Sequence, residues 1–526
     1  MRMCKRSAAL WTLLRVPTGA ATPASPRGPD PKRTFPDSLK GPSLKERHVI
    51  AGAGPAGLTV AWQLARRGEP SVVLEADPDY VGGLAKTVRY KGNRFDVGGH
   101  RFYSKSSEIN NLWKEMLPTE FTQVPRLSRI YYDRTFFPYP IAVGPTLAGL
   151  GLVRSARIAL SYLKARLFPR RPEVSFEDWV VNRFGFELYS TFFKTYTEKV
   201  WGMPCTEMSK DFAAQRIRNL SFLSAVQNAL FPPRRGTEPK TLITTFAYPR
   251  YGPGQLWESV QAQVEAEGAR VLLGKRIVRV RHQNGVISSF ETAAGESFDG
   301  DHFYSTMPLR DLIFALEPAA PPEILAAARA LRYRDFLIVA LMVTKPDLFP
   351  DHWIYVHDPA VQVGRIQNYK NWSAAMIGEP GMTCLGLEYF CNEDEPLWNL
   401  SDAELVTLAA REVGTIGLAR TSECVDGAVV RMRRAYPVYD GEYQGHRARL
   451  KAYLAGFRNL QCAGRGALHS YNNQDHSMMA AIYCVRNVLE GAGLDPWTIN
   501  TEEEYAEEGT MKKTFDERLV PTRPAR

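Results

Sequence analysis

A glycine-rich turn between a short apolar strand and a helix constrains this chain more than any other feature. Residues 48–51 (HVIA) are typical of a buried strand, and residues 52–57 (GAGPAG) follow the pattern G-x-G-x-x-G. The pattern over 58–67 is helical, and 71–75 predicts a second strand. Glycines allow backbone amides at a helix N-terminus to approach a pyrophosphate closely. The sequence therefore predicts a β-α-β unit that binds a dinucleotide through Gly52, Gly54 and Gly57.

The residues around this unit favour FAD over NAD as the dinucleotide. Glu75 lies 23 residues after Gly52, at the end of the second strand, where a carboxylate can accept hydrogen bonds from ribose hydroxyls. Further glycines follow soon afterwards, as expected if more of an extended cofactor must be covered, and a strand, turn and helix recur near the C-terminus. The additional candidates for cofactor binding are Gly82, Gly83, Gly99 and Gly464.

The order of patterns along the chain predicts an α/β fold in which the nucleotide domain is built from separated segments. At roughly 150 residues per domain, 526 residues correspond to about three units. We expect a Rossmann-like FAD-binding domain with inserted helical and mixed α+β substrate domains. The expected parts are a disordered basic and proline-rich tail at 1–47, an FAD-binding domain at 48–103, 236–310 and 456–497, a helical cap at 104–235, a mixed α+β domain at 311–455 and a tail at 498–526.

The charge and cysteine distributions narrow the function classes. Residues 1–47 carry +7 of the formal net charge of +10, so the body is nearly neutral and offers little ground for a nucleic-acid surface. The seven cysteines are scattered without a C-x-x-C motif, which argues against a disulfide framework or a metal site and favours a reducing, cytoplasmic compartment. Targeting by the tail stays open, and no apolar run is long enough to span a membrane.

A basic segment from Arg154 to Arg171 coincides with a helical pattern rich in Leu, Ile and Ala. A helix of this kind can lie on a membrane surface, so peripheral membrane contact is possible. We favour the alternative, a solvated helix packed on the body. A homo-oligomer is also left open.

Several further segments resemble known flavoproteins. Residues 304–308 (YSTMP) and the early glycine pairs look like the flavin-dependent amine-oxidase superfamily, which includes protoporphyrinogen oxidase. Residues 196–202 (YTEKVWG) resemble the Y-T-x-K-x-W-G segment of UDP-galactopyranose mutases, and 98–102 (GGHRF) resemble their G-x-H-x-F loop. Residues 436–440 (YPVYD) resemble their Y-P-V-x-D. These blocks occur in the order found in that family.

Two more blocks extend the resemblance. Gly464-Arg465, with Tyr471 and Asp475, has the spacing of the C-terminal G-R-x5-Y-x3-D segment of the mutases, and 365–373 (RIQNYKNWS) are similar to the arginine-to-N-Y-S stretch of eukaryotic members. The chain departs from bacterial mutases between 466 and 473, at Leu468, His469, Ser470, Asn472 and Asn473. These departures leave the identity of the sugar open.

The resemblance implies a flavoenzyme that interconverts the pyranose and furanose forms of a nucleotide sugar. In such mutases N5 of the reduced flavin attacks the anomeric carbon, so an electron donor must reduce the FAD. The implied catalytic residues are His100, Trp201, Tyr436 and Tyr471. Arginine forks suit a diphosphate, and the implied substrate-binding residues are Arg365, Arg465 and Arg216, with Arg218 as an alternative to the last.

Some assignments keep two interpretations. His100 either lies beside the flavin ring or shapes its own loop, and Asp475 either binds the cofactor or caps the last helix. The leading alternative function is an FAD-dependent oxidase or dehydrogenase of the amine-oxidase and protoporphyrinogen-oxidase type. A non-catalytic flavin or nucleotide-sugar binder is a third, less favoured interpretation, because the arginines, tyrosines and His100 are all present.

Overall fold

The computed structural model describes residues 46–139, 150–210 and 245–499. Eight of the described strands form one sheet, seven form a second, and two pairs form short ribbons. Both expected tails lie almost wholly outside these residues, although the first strand already begins at Glu46. Strands and helices are numbered below in chain order.

The first sheet combines a parallel core with an antiparallel extension. The parallel strands are hydrogen-bonded in the order β9-β2-β1-β12-β19. The first residues of β12, 297–299, pair with β11, and β11 pairs with β10 to form the antiparallel extension. The strands are β1 (Glu46–Ala51), β2 (Ser71–Leu74), β9 (Arg270–Leu272), β10 (Ile277–Gln283), β11 (Val286–Thr292), β12 (Ser297–Ser305), β13 (Leu316–Glu317) and β19 (Leu460–Cys462). The parallel core and its crossover helix confirm the expected Rossmann-like arrangement.

Helices cover this sheet and share one hydrophobic core with it. The first crossover helix begins at Pro55, three residues before the expected start, because proline suits the first helical position. It packs against the last α-helix of the described residues, Gln474–Glu490. The helices of this region are α1 (Pro55–Ala65), α2 (Ser107–Met116), α7 (Gly254–Ala266), α8 (Leu309–Ala315), α9 (Pro322–Ala330), α12 (Tyr443–Leu454) and α13 (Gln474–Glu490).

The second sheet is largely antiparallel and runs in the order β18-β14-β17-β16-β15-β6-β7. Two ribbons, β3-β4 and β5-β8, accompany it. The strands are β3 (Thr87–Tyr90), β4 (Asn93–Asp96), β5 (Phe121–Pro125), β6 (Ser128–Tyr132), β7 (Thr135–Pro138), β8 (Thr245–Pro249), β14 (Tyr333–Val343), β15 (Trp353–Val356), β16 (Arg365–Asn368), β17 (Thr383–Phe390) and β18 (Cys424–Pro437).

Each face of the second sheet has its own hydrophobic core. Leu405 and Val413 of one long helix pack on one face, and Trp179 and Trp201 of a helical group pack on the other. The helices are α3 (Leu152–Leu167), α4 (Phe176–Phe184), α5 (Phe186–Tyr189), α6 (Thr195–Trp201), α10 (Tyr369–Trp372) and α11 (Asp402–Ile416), with a π-helical turn at Ser190–Lys194 between α5 and α6. This sheet and its helices fall within 104–235 and 311–455, and the assignment of these spans as substrate domains stays a prediction.

The span expected to form a helical cap, 104–235, also contains three strands. β5 pairs with β8, and β6 and β7 join the edge of the second sheet through β15. The helical expectation is wrong for these strands. β5 and β6 pair with strands more than a hundred residues away, and β7 pairs with β6 in a hairpin that the helical interpretation overlooked. The last part of the expected cap, 211–235, lies outside the described residues.

Two properties of the described chain bear on its chemistry. None of its helices is long and apolar enough to cross a bilayer. Its cysteines are free thiols, and burial raises the pKa of Cys462 to about 12. That thiol therefore stays protonated near neutral pH.

Candidate active site

A cleft of about 510 Å³ opens at the carboxyl ends of β1, β12 and β19. The strand register places Ala51 beside Ser305 and Ser305 beside Cys462, so the turns that follow the three strands meet. Gly52, Thr306 and Gly464 of these turns line the cleft. Ligands of open parallel sheets bind at such a position.

The glycines of the first turn are required by close backbone packing. Gly52 has a φ of +95°, and a Cβ there would lie 2.2 Å from Oγ1 of Thr306. A Cβ on Gly57 would lie 1.8 Å from the carbonyl oxygen of Gly52. Gly54 faces Gly83, whose added Cβ would stand 3.2 Å from the Gly54 Cα. Side chains at Gly52 and Gly57 would displace the turn from the helix N-terminus.

Glu75 completes this side of the cleft. Its carboxylate oxygens accept backbone hydrogen bonds from Ala53 at 2.5 Å and from Asp77 at 2.9 Å, so it ties the glycine turn to the end of β2. Burial raises its pKa. Both Glu75 and the N-terminus of α1 line the cleft. A glycine cradle, a free helix N-terminus and a buried acidic residue fit the pyrophosphate and ribose of FAD.

His100 lines the same cleft from the loop after β4. Its Nε2 lies 3.0 Å from the carbonyl oxygen of Val97, which can only accept, so Nε2 carries a proton. Burial lowers the pKa of His100 to about 4, and the nearby charge of Arg465 lowers it too. At neutral pH the ring is uncharged. The hydrogen bond to its own loop and the position in the cleft are both present, so neither of the two interpretations excludes the other.

Arg465 follows the turn after β19 and also lines the cleft. Its Nε donates to the carbonyl oxygen of Asn472 at 2.8 Å, and its guanidinium carbon lies 5.3 Å from the ring centre of Tyr436 and 4.9 Å from that of Tyr471. None of the carboxylates in the described ranges forms an ion pair with it. The guanidinium therefore keeps its charge available for an anion.

An aromatic group borders Arg465. The rings of Tyr436 and Tyr471 are stacked at 5.6 Å, and the Trp201 ring lies 6.0 Å from the first and 5.9 Å from the second. Burial raises the pKa of Tyr436, so its phenol remains protonated. The structure thus brings together Trp201, Tyr436, Tyr471 and Arg465, which the sequence placed up to 270 residues apart.

Arg365 is placed differently from Arg465. It lies on β16 directly opposite Glu388 of β17, and the two form a bidentate ion pair, with Nε to Oε1 at 2.9 Å. Glu388 is fully buried and also accepts from Gln367 at 2.8 Å. Arg365 remains charged and acts electrostatically on Tyr196, Tyr436 and His100. Its net charge is compensated within the protein.

Lys199 fixes the helix that carries Trp201. Its ammonium lies 2.9 to 3.1 Å from four backbone carbonyl oxygens of the β15-β16 connection. These belong to Val356, Asp358, Val361 and Val363. Burial lowers the pKa of Lys199 to about 8. The lysine of the Y-T-x-K-x-W-G segment thus binds α6 to the second sheet.

Other predicted residues lie near the cleft rather than on its wall. The backbone N–H of Gly82 donates to the carbonyl oxygen of Ala53. A Cβ on Gly99 would lie 2.8 Å from Nε2 of Gln367. Asp475 is absent from the cleft wall, to which its neighbours Asn473 and Gln474 contribute. Asn473, not Asp475, occupies the N-cap position of α13, so the capping interpretation of Asp475 is wrong. Arg216 and Arg218 lie outside the described residues.

Sequence reasoning missed several residues of the site. Thr306 donates to the carbonyl oxygen of Ala51 at 2.7 Å and so joins two of the turns. The sequence did contain a signal for Thr306, because this residue lies in the YSTMP segment that resembles known flavoproteins. Glu388 could have been suspected as a carboxylate within an otherwise apolar strand. The remaining basic residues of the cleft wall carry no such signal; they are Lys275, Arg276, Arg433 and Arg434.

Comparison with known proteins agrees with this geometry. The family described as "Flavin containing amine oxidoreductase" matches residues 55–473. The chain belongs to this family. Its members are flavoproteins, and together with the fit of the cleft this membership confirms the prediction of FAD. The amine-oxidase part of the resemblance is also confirmed.

The relatives of this chain include two kinds of protein, a putative monoamine oxidase and a phytoene desaturase. A putative flavin-containing monoamine oxidase from Mycobacterium tuberculosis is 25% identical over 289 residues, which is 52% of this chain and 60% of that protein. The 15-cis-phytoene desaturase of Solanum lycopersicum is 25% identical over 302 residues, 52% of this chain and 48% of the desaturase. The chain therefore spans only about half to three fifths of the length of these relatives.

Among solved structures, reduced UDP-galactopyranose mutase superposes with a TM-score of 0.75. The two chains are 20% identical, and the match covers 88% of this chain and 100% of the mutase. This similarity confirms the expected fold class. At 20% identity, the similarity shows a shared fold alone.

Proposed function

We propose that this chain is an FAD-dependent mutase that interconverts the pyranose and furanose forms of a nucleotide sugar. The observation that carries the proposal is Arg465, a cation on the wall of the cofactor cleft held by backbone carbonyls and aromatic rings. An arginine without a carboxylate partner is well suited to bind a diphosphate. The nucleotide would thereby be held next to the cofactor.

The aromatic group supplies the other half of the proposed site. Trp201 and the tyrosine pair offer apolar ring faces for a sugar, and the protonated hydroxyl of Tyr436 is a hydrogen-bond donor for phosphate oxygens. Because these rings are largely buried, they exclude water from an exposed anomeric centre. Reduced flavin supplies the nucleophile of this chemistry when it is bound.

Arg365 has a secondary role in this proposal. Its Nε and one Nη bind Glu388, which leaves N–H groups on the other Nη for a ligand. Since Glu388 offsets its charge, Arg365 orients the diphosphate while Arg465 provides most of the attraction. His100, neutral and hydrogen-bonded to Val97, adds no charge that would compete for the phosphates.

The test uses purified holoprotein, reduced with dithionite under anaerobic conditions and incubated with a panel of nucleoside-diphosphate sugars. We expect a ring-contracted sugar nucleotide, resolved by chromatography and identified by NMR. Arg465→Ala should weaken binding of UDP, followed by tryptophan fluorescence, by roughly 2 to 5 kcal/mol, and Arg465→Lys should recover only part of the loss.

Arg420→Ala is the matched control, because it removes the same charge from an exposed position paired with Glu423. Equal UDP affinity in wild type, Arg465→Ala and Arg420→Ala would contradict the proposal. So would the absence of any ring-contracted product from the whole panel.

The similarity to a putative monoamine oxidase favours a second candidate, an FAD-dependent oxidase or dehydrogenase. An uncompensated Arg465 in the cleft disfavours a cationic amine as its substrate, since like charges would meet. An oxidase must pass electrons to an acceptor, whereas the mutase reaction has no net redox change. Oxygen consumption or dye reduction with amine and apolar substrates separates the two functions.

A further inference from the structure

Helix α3 turns most of its apolar side chains away from the protein. Its buried residues are Ile158 and Ala165. Five other large apolar side chains are strongly exposed, at Leu152 (91%), Val153 (79%), Leu160 (68%), Leu163 (54%) and Leu167 (64%). A surface helix of a globular protein normally buries its apolar face and exposes its polar one. This inversion requires an explanation.

The exposed side chains form one continuous band, which we call the outer stripe: Leu152, Val153, Ala156, Leu160, Leu163 and Leu167. Most are separated by three or four residues and therefore lie along one side of the helix. At 1.5 Å per residue the stripe is about 24 Å long. Phe168, 74% exposed, follows it directly.

Packing on the opposite side fixes the direction of the stripe. A Cβ on Gly185 would lie 2.7 Å from the backbone nitrogen of Tyr162, so the two chain segments are in close contact. The Ser161 hydroxyl accepts a hydrogen bond from the backbone of Glu187 at 3.1 Å. Rotation of α3 to bury its leucines would break both contacts. The outward stripe is therefore built into the fold.

Basic residues flank the stripe. Arg157 and Lys164 follow one edge and Arg166 the other, and the sequence contains no Asp or Glu from 134 to 172. The acidic residues that face the helix from neighbouring elements are Asp133, 3.4 Å from Arg154, and Glu187, 2.8 Å from Arg157. Lys164 and Arg166 form no ion pair within the described chain. The surface is thus apolar at its centre and positive at its borders.

We propose that the outer stripe is a docking surface for the face of an anionic phospholipid bilayer. An apolar band with lysine and arginine borders lies in the plane of the interface, with the leucines among acyl chains and the cations at the level of the phosphates. Charge complementarity selects this occupant over a second copy of the chain. A two-fold interface through the stripe would bring the basic borders of two molecules together.

The docking surface belongs to the part of the protein that carries the candidate site. α3 packs on α4 and α5, and the π-helical turn connects α5 directly to α6 with Trp201. Bound to a bilayer, the chain would hold this helical group at the lipid surface. The inference stands independently of the proposed mutase activity.

The test is co-flotation of the full-length holoprotein with vesicles of phosphatidylcholine alone or of phosphatidylcholine and phosphatidylglycerol in equal parts. We expect binding to the anionic vesicles, weakened by salt. Leu160→Glu with Leu163→Glu should lower partitioning at least roughly tenfold. Lys164→Gln with Arg166→Gln should lower it roughly fivefold per charge and reduce the salt dependence.

Val425→Glu is the matched control, an exposed apolar residue on β18 outside the stripe, and it should bind like wild type. Flavin content and circular dichroism establish that each variant folds, and Leu160→Ser replaces the double variant if that one does not. Equal flotation of wild type and stripe variants would overturn the proposal. A wild-type dimer that the stripe variants dissociate would overturn it as well, because a second copy would then cover the stripe.

Discussion

Arg365 and Glu388 face each other across neighbouring strands and form a bidentate ion pair around a fully buried carboxylate. Arg465, by contrast, is held by backbone carbonyls and tyrosine rings. Two arginines that the sequence pattern treats alike therefore differ in the charge that they present to a ligand. The difference can be measured by changing the carboxylate.

Glu388→Gln should strengthen binding of UDP while it weakens the fold. Without the carboxylate the charge of Arg365 is no longer offset, so UDP affinity should rise. Breaking a buried pair should also lower the free energy of unfolding by about 3 to 5 kcal/mol. Fluorescence titration and urea unfolding give the two readouts. Glu412→Gln is the control, since that buried carboxylate binds the amides of Gln362 and Val363. Unchanged UDP affinity in Glu388→Gln would show that Arg365 does not contact the diphosphate.

Gly57→Ala should abolish FAD binding with little effect on the rest of the fold. The new Cβ would lie 1.8 Å from the carbonyl oxygen of Gly52 and force the turn away from the helix. Flavin absorbance per protein after purification measures the loss. Gly445→Ala is the control, because nothing lies within 4 Å of its added Cβ and helical glycine-to-alanine changes are tolerated. A yellow Gly57→Ala protein would contradict the assigned cofactor cleft.

Lys199→Met should lower the free energy of unfolding by about 3 kcal/mol, because four carbonyl oxygens lose a charged donor. The tryptophan emission should shift as well, since α6 carries Trp201. Urea unfolding followed by fluorescence records both effects. The exposed Lys194→Met is the control and should behave like wild type. Equal stability of the two variants would contradict the prediction and would mean that water molecules replace the ammonium group as hydrogen-bond donors to the four carbonyl oxygens.

The protein should lose stability as the pH falls from about 6.5 toward 4. Burial lowers the pKa of His469 to about 3 and of His100 to about 4, whereas unfolded histidine titrates near 6.5. Below pH 6.5 the unfolded chain therefore binds protons that the folded chain does not bind. The free energy of unfolding decreases as the pH falls, and the stabilisation present above pH 6.5 is lost.

His469→Asn should flatten this dependence in urea unfolding at a series of pH values. Asparagine tolerates the φ of +42° at this position. His446→Asn, at a partly exposed position, is the control. An unchanged pH dependence in His469→Asn would show that its titration is not part of the acid effect.

The elements that sequence reasoning located are those with local signals. The first strand, turn and helix occur within a few residues of their expected bounds, and the strand, turn and helix expected near the C-terminus are present as β19, the turn at Gly464 and α13. The strands β5 and β6 were missed because they pair with β8 and β15 far along the chain, and β7 was missed with them because it pairs with β6.

The same distinction holds for the site. Gly52, Glu75, His100 and Arg465 were recognised from motifs, and all of them line one cleft. The partner of Arg365 could not be predicted, since it depends on the register between β16 and β17. From the sequence, a solvated helix is the favoured interpretation of α3 and a membrane-surface helix is the alternative. The outward side of α3 could not be predicted, because composition does not reveal which side of a helix faces the solvent.

The position of β19 sets the order of events during synthesis. β12 pairs with β1 near the start of the chain and with Leu460–Cys462 near its end. The turn that carries Gly464 and Arg465 is thus synthesised more than 400 residues after β1. A nascent chain can form the second sheet before it can close the cleft, so the FAD site cannot be complete until synthesis has passed Arg465. Messages cut short before this point would yield a colourless protein.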